Sequence, residues 1–192
     1  MKVQIRKATP EDASRLATIL RLAMAEVVDY LIGSKEEEKA IKFLTYLIAQ
    51  PDNQYSYENI WVAEVDGDIL GQACLYDGTD LNRLRTPVLE FIHQQYQHSP
   101  DVFDETASGE IYLDTIAVAS HAQGMGIGKL LLQHIIDFYV RQRKATIGLL
   151  VDKENPKAKS LYLNTGFSKI SEKSLFGKQF DHLQINSETA DH

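Results

Sequence analysis

A chain of 192 residues, 44% of them hydrophobic, can bury one substantial core, and its length predicts a single domain rather than two small ones. A formal charge of −7 argues against nucleic acid as the main partner, because phosphate binding leaves a basic footprint. The lone cysteine, Cys74, excludes an intramolecular disulfide, "MKVQIRKATP" lacks the apolar core of a secretion signal, and no apolar run reaches the length of a membrane helix; a cytoplasmic protein with no membrane partner is expected.

Residues 2 to 6 alternate as a half-buried strand does, with Val3 and Ile5 on one side. Thr9 as cap, Pro10 at the first helical position and Asp12 in a capping box then start a helix running to about Tyr30. A second amphipathic stretch carries Ile41, Leu44, Leu47 and Ile48 to Pro51, with Glu36 to Glu38 favouring its N-terminus through the dipole. "NIWVAEVDGDILGQACLYDG" predicts two strands joined by an Asp-Gly turn. Residues 78–109 read as an elaboration: a helix "PVLEFIHQQYQ", then the acidic, turn-rich "HSPDVFDETASGE". "EIYLDTIAV" predicts a strand, and the helix after it puts Ile127, Leu130, Leu131, Ile135 and Phe138 on one apolar face, with His134 as a core or boundary residue. "ATIGLLVDKEN" reads as a buried strand, "PKAKSLYLNTGF" as a short helix ended by Gly166, and "FSKISE" and "HLQIN" as closing strands. The mixture implies an α/β or α+β fold with a mixed sheet, one domain over residues 1–186, and a frayed tail at 187–192.

The junction "SHAQGMGIGKLLLQHI" sets Gly124, Gly126 and Gly128 where a helix begins. Unpaired amides at a helix start carry the positive end of its dipole and suit an anion, and absent side chains let a phosphate approach. A dinucleotide fingerprint fails, because Lys129 or Leu131 stands where its third glycine belongs; a P-loop fails, because Gln123 replaces its first glycine and Leu130 follows Lys129. Gln123-x-x-Gly126-x-Gly128 after a strand instead resembles the pyrophosphate signature of the GNAT N-acetyltransferase superfamily. "NPKAKSLYLNTGF" is similar to a second pattern of that family at Asn155, Ala158, Leu161, Tyr162, Gly166 and Phe167. Ser120, where proline is usual, and the long insertion depart from the family pattern.

The resemblance implies a mixed, mostly antiparallel sheet splayed between two parallel strands, flanked by helices, and an acyltransferase using acetyl-CoA as cosubstrate. It implies backbone contacts to the pantetheine arm from Ile116, Ala117 and Val118, and a diphosphate held by Gln123, Gly124, Met125, Gly126, Ile127, Gly128 and Lys129. Asn155 would touch the pantetheine, Ala158 would leave room for it, and Tyr162 would protonate the departing thiolate. A primary amine is largely protonated at neutral pH and needs a base. Glu110 and Asp114 alternate with Tyr112 on one strand, so either acid can fill that role through a water. The acceptor is expected to be an amine of a small molecule or peptide, with a homodimer also compatible with the inserted helix. The histidines have no metal-ligand spacing, so no metal is expected. A binding module that holds acyl-CoA without transferring anything is the alternative, since backbone motifs survive the loss of chemistry.

Overall fold

The start signal at residues 9–12 is realised as its residue types dictate. Asp12 Oδ2 accepts from the Thr9 amide at 2.8 Å, and a short turn at Pro10–Asp12 leads into α1 (Ala13–Ile32). The computed structural model describes residues 2–188; positions 189–192, part of the tail expected to fray, lie outside the described residues. Before α1 runs β1 (Gln4–Lys7), and after it come α2 (Glu37–Ala49), β2 (Ile60–Val65) and β3 (Asp68–Asp77). The β2–β3 turn puts Asp66 at φ 51° and Gly67 at φ 82°, the paired left-handed residues of a tight hairpin. The chain continues through α3 (Leu81–Tyr96), β4 (Ile111–Val118), α4 (Ile127–Ile135), β5 (Ile147–Asp152), α5 (Pro156–Leu163), β6 (Ser168–Leu175) and β7 (Lys178–Ile185).

The strands form one sheet in the order β1-β2-β3-β4-β5-β7-β6, antiparallel at every junction except β4 with β5. Helices α1, α2 and α3 bury Leu16, Leu20, Phe43, Leu44, Val88 and Ile92 in one core cluster. A second cluster joins α4 and α5 to the sheet through Leu131, Leu132, Ile135, Leu149 and Tyr162. Burying such side chains stabilises each layer by about 1.5–3 kcal/mol per residue. Among the described residues no helix is long and apolar enough to cross a membrane.

Two sequence expectations need correction. Helix α3 begins at Leu81, so Pro87 lies inside it rather than at its start. Pro87 removes one main-chain bond, but the buried row Leu81, Leu84, Val88 and Ile92 carries the helix through. On α4, Leu130 is exposed and Leu132 is buried in its place. The winding widens over Ile136–Gln142, which rotates the following residues relative to a regular helix.

Candidate active site

Strands β4 and β5 pair at only two positions, Ile111 with Ile147 and Tyr112 with Gly148. Beyond them β4 stays with β3 as far as Val118, while β5 stays with β7 as far as Asp152. Each strand therefore turns an unpaired inner edge toward the other, and the wedge between them opens into a cavity of about 1260 Å³. Ile116, Ala117, Val118 and Gln123 line it from the β4 side, and Asn155, Ala158 and Tyr162 from the β5–α5 side. Gln123 begins one sequence motif and Asn155, Ala158 and Tyr162 belong to the other, so the fold brings both to one opening.

At the end of β4 the backbone is arranged for a helix start with little side-chain cover. Gly124 and Gly126 adopt φ 80° and 81°, a region that strains residues bearing a Cβ. The Leu130 amide makes the bond to the Gly126 carbonyl at 3.0 Å, so the amides of Ile127, Gly128 and Lys129 precede the helical ladder. A Cβ placed at Gly124 or Gly126 would meet no atom within 4 Å, leaving open space over the positive end of α4. At Gly128 it would rest 3.5 Å from Val118 Cγ2, where the helix packs on β4. Gln123 Nε2 donates to the Val118 carbonyl at 3.4 Å, tying the loop to the strand, while Met125 and Lys129 are exposed.

Asn155 caps α5: its Oδ1 accepts from the Ala158 amide at 3.1 Å, and Pro156 follows in the first turn. Tyr162 is buried one turn beyond Ala158 on the same face, its ring edge-on to Phe167 with centroids 5.8 Å apart. Burial pushes the Tyr162 phenol up to about 12, so it stays protonated across the neutral range.

The two acids of β4 part company. Thr115 opposes Cys74 and Leu113 opposes Leu75, which makes Asp114 the extra residue of a β-bulge. The bulge turns Asp114 to the cavity, with Oδ2 sealed from solvent and without a hydrogen-bond partner. Burial, followed by the repulsion of Glu105, pushes its carboxyl up to about 8 against the pull of Arg85. Glu110, in contrast, does not line the cavity. Its carboxylate accepts from Thr106 Oγ1 at 2.7 Å and Gln184 Nε2 at 2.7 Å and pairs with His182 Nε2 at 2.8 Å. Burial alone would raise its pKa, but these partners outweigh it and hold the group below the ordinary carboxylate range. The shared face expected for Glu110, Tyr112 and Asp114 is thus divided: Tyr112 and Asp114 line the cavity, while Glu110 reaches across Gly148 to β7. A Cβ at Gly148 would fall 1.7 Å from Glu110 Oε2, so the bare position on β5 is what admits the carboxylate.

Sequence reasoning missed the far wall. Arg85 of α3 donates to Asp104 Oδ1 at 2.9 Å and to the Phe103 carbonyl at 2.8 Å, and forms an ion pair with Glu105. Gln54 Nε2 donates to Glu105 Oε1 at 2.7 Å and to the Tyr76 hydroxyl at 2.9 Å. These bonds draw the 97–108 segment over the cavity. Helix α1 contributes a kink at Met24 (φ −133°, ψ 33°), where the Arg21 guanidinium donates to the Ala25 carbonyl. No local sequence pattern announces either feature, because each partner is distant along the chain.

The model of the acetyltransferase (GNAT) family matches residues 24–167. The chain belongs to the GNAT family. It is therefore an acyltransferase by descent, with the mixed, splayed sheet of that family. Among its relatives, the 5-NmdU N-acetyltransferase of Pseudomonas phage PaMx11 is 25% identical over 176 residues, covering 92% of this chain and 94% of that one. A solved acetyltransferase is 29% identical, with TM-score 0.80 over 96% of this chain and 99% of its own. An N-acetyltransferase from Staphylococcus aureus Mu50, 23% identical, superposes with TM-score 0.83 over 95% of this chain and 100% of its own and bears on the fold alone.

Proposed function

We propose that this GNAT protein transfers an acetyl group from acetyl-CoA directly to a primary amine. The observation that carries the reading is the convergence on one cavity of Gln123 at the entry to the glycine loop, an unpartnered carboxylate and a buried phenol. The left-handed glycines and the empty space above them fit a diphosphate, and the unpaired inner edge of β4 at Ile116, Ala117 and Val118 fits an extended pantetheine amide chain. When bound, acetyl-CoA would supply the activated acetyl group and a thiolate leaving group.

The protein's own groups then handle the protons. Asp114, as carboxylate, accepts the proton of the substrate ammonium, directly or through a water, and frees the nitrogen lone pair. As the new N–C bond forms and the C–S bond breaks, the Tyr162 hydroxyl protonates the sulfur, and the second proton lost by the nitrogen passes through water to the tyrosinate, giving an amide, free CoA thiol and a restored phenol. A β4 amide near Val118 stabilises the developing oxyanion by about 3 kcal/mol. Glu110 is assigned to holding the apex of the wedge rather than to the reaction, since its acceptor positions are filled.

Thiol release from acetyl-CoA, measured over a panel of amines, tests the reading. Amine-dependent release that saturates supports it. Tight acetyl-CoA binding with no release for any amine would contradict transfer and return the chain to a non-catalytic acyl-CoA-binding role.

A further inference from the structure

The cavity continues past Asp114 to a mouth built by three elements that share no sequence motif. Tyr30 from α1, Phe103 from the 97–108 segment and Phe176 from the β6–β7 turn all line it. Phe176 stands edge-on to both neighbours, with centroids 5.3 Å from Tyr30 and 5.2 Å from Phe103. The three rings remain 40%, 43% and 40% exposed, a contiguous apolar collar that the core leaves uncovered. The Tyr30 hydroxyl donates to the Asp101 carbonyl at 3.0 Å, and Lys173 Nζ donates to the Glu105 carbonyl at 3.0 Å, so the segment bearing Phe103 is tied at both ends.

Charges around the collar are already matched. Glu26 accepts from Lys178 at 2.6 Å, and Glu105 is held by Arg85, Gln54 and Tyr76. Arg85 and Lys178, the basic side chains lining the cavity among the described residues, are both paired with acids. Neither is left over for the carboxylate of an amino acid. No second acid on this wall is left over for the far ammonium of a polyamine. Asp114 is the acid on this wall with a buried carboxylate oxygen that lacks a hydrogen-bond partner, whereas Glu154, the other lining acid with no side-chain partner, is exposed next to Asn155 at the start of α5.

Building on the transferase reading above, we infer that the acceptor is a monoamine whose single amine lies at Asp114 and whose apolar or aromatic body rests against the Tyr30–Phe103–Phe176 collar. Ring-to-ring contact of this kind adds about 0.5–1.5 kcal/mol beyond simple burial, and apolar burial adds more.

The test compares 2-phenylethylamine, n-propylamine and spermidine as acceptors by kcat/KM in the full chain. The expected result is at least a tenfold preference for 2-phenylethylamine over both others. In Phe103→Ala and in Phe176→Ala that preference falls below threefold, with acetyl-CoA affinity by calorimetry as the check that the fold is kept. The ratio is internal to each protein, so partial loss of active enzyme does not imitate the effect. A preference for spermidine, or a ratio unchanged in both variants, overturns the inference while leaving amine acetylation standing. Absence of thiol release with every amine overturns the underlying reading instead.

Discussion

The two halves of the cavity are built from different materials. On the α4 side the proposed binding atoms are main-chain amides and strand edges, and what matters about Gly124 and Gly126 is a backbone angle that other residues resist. On the α1 and α3 side the lining is side chains: Tyr30, Arg85, Phe103 and Phe176 are gathered by hydrogen bonds and ring contacts that span the chain, and Asp114 faces them from the bulge of β4. The contrast teaches that binding and selection can be altered separately. In the proposed reading the backbone-built half holds the acetyl donor, whereas the side-chain-built half selects the acceptor.

The contrast can be broken most severely at the loop. Gly126→Val forces a β-branched residue to φ near 81°, and restoring that angle costs about 1–3 kcal/mol before any phosphate meets the side chain. Acetyl-CoA affinity should fall on the order of 100-fold by calorimetry, with circular dichroism unchanged. Tyr162→Phe should leave that affinity intact and lower kcat by about 10³-fold, within the span of general acid loss, read by thiol release. Unchanged turnover would remove Tyr162 from the reaction.

Asp114→Asn sharpens the comparison on the other half. It should lower kcat/KM by about 10²-fold. In the parent protein the carboxyl must be ionised to accept a proton, so activity should rise with pH through about 8, and the Asn variant should lose that inflection. Stability should move the opposite way. A carboxyl raised from 3.8 to about 8 by folding leaves the protein unpenalised below about 4 and progressively destabilised as pH climbs toward 8. Asp114→Asn should therefore raise Tm at pH 8 and raise it less at pH 5, read by thermal melts at both. The smallest catalytic effect is expected at the other acid of the pair: Glu110→Gln should lower stability by about 1–3 kcal/mol through its buried network while kcat is largely retained. A loss of kcat matching that of Asp114→Asn would make Glu110 a participant.

Legibility followed the same division. The helix start at Thr9–Asp12, the Asp66–Gly67 hairpin and the glycine loop were readable because each is a local conformational demand met by adjacent residue types. The convergence of Gln123 and Tyr162 on one opening was reachable through the family resemblance of the two motifs. The division between Asp114 and Glu110 was not, because strand alternation carries no notice of a bulge or of the empty place at Gly148 that draws Glu110 away. Nor does the acidic run at 101–105 announce that Arg85 will bind it, or Phe103 that it will meet Phe176, since both depend on contacts between distant segments. The start of α3 is hard to read locally, because Pro87 is better suited to a first turn than to the interior, where the apolar row through Leu81 and Leu84 places it.

The central claim, that main-chain amides of the glycine loop hold the diphosphate of acetyl-CoA, is tested most directly by amide chemical shifts of the isotopically labelled protein during titration with acetyl-CoA. The account predicts saturable shifts largest at Gly124, Gly126, Ile127, Gly128 and Lys129, extending along Ile116–Val118. Saturable binding that leaves those amides unmoved while others shift would contradict it.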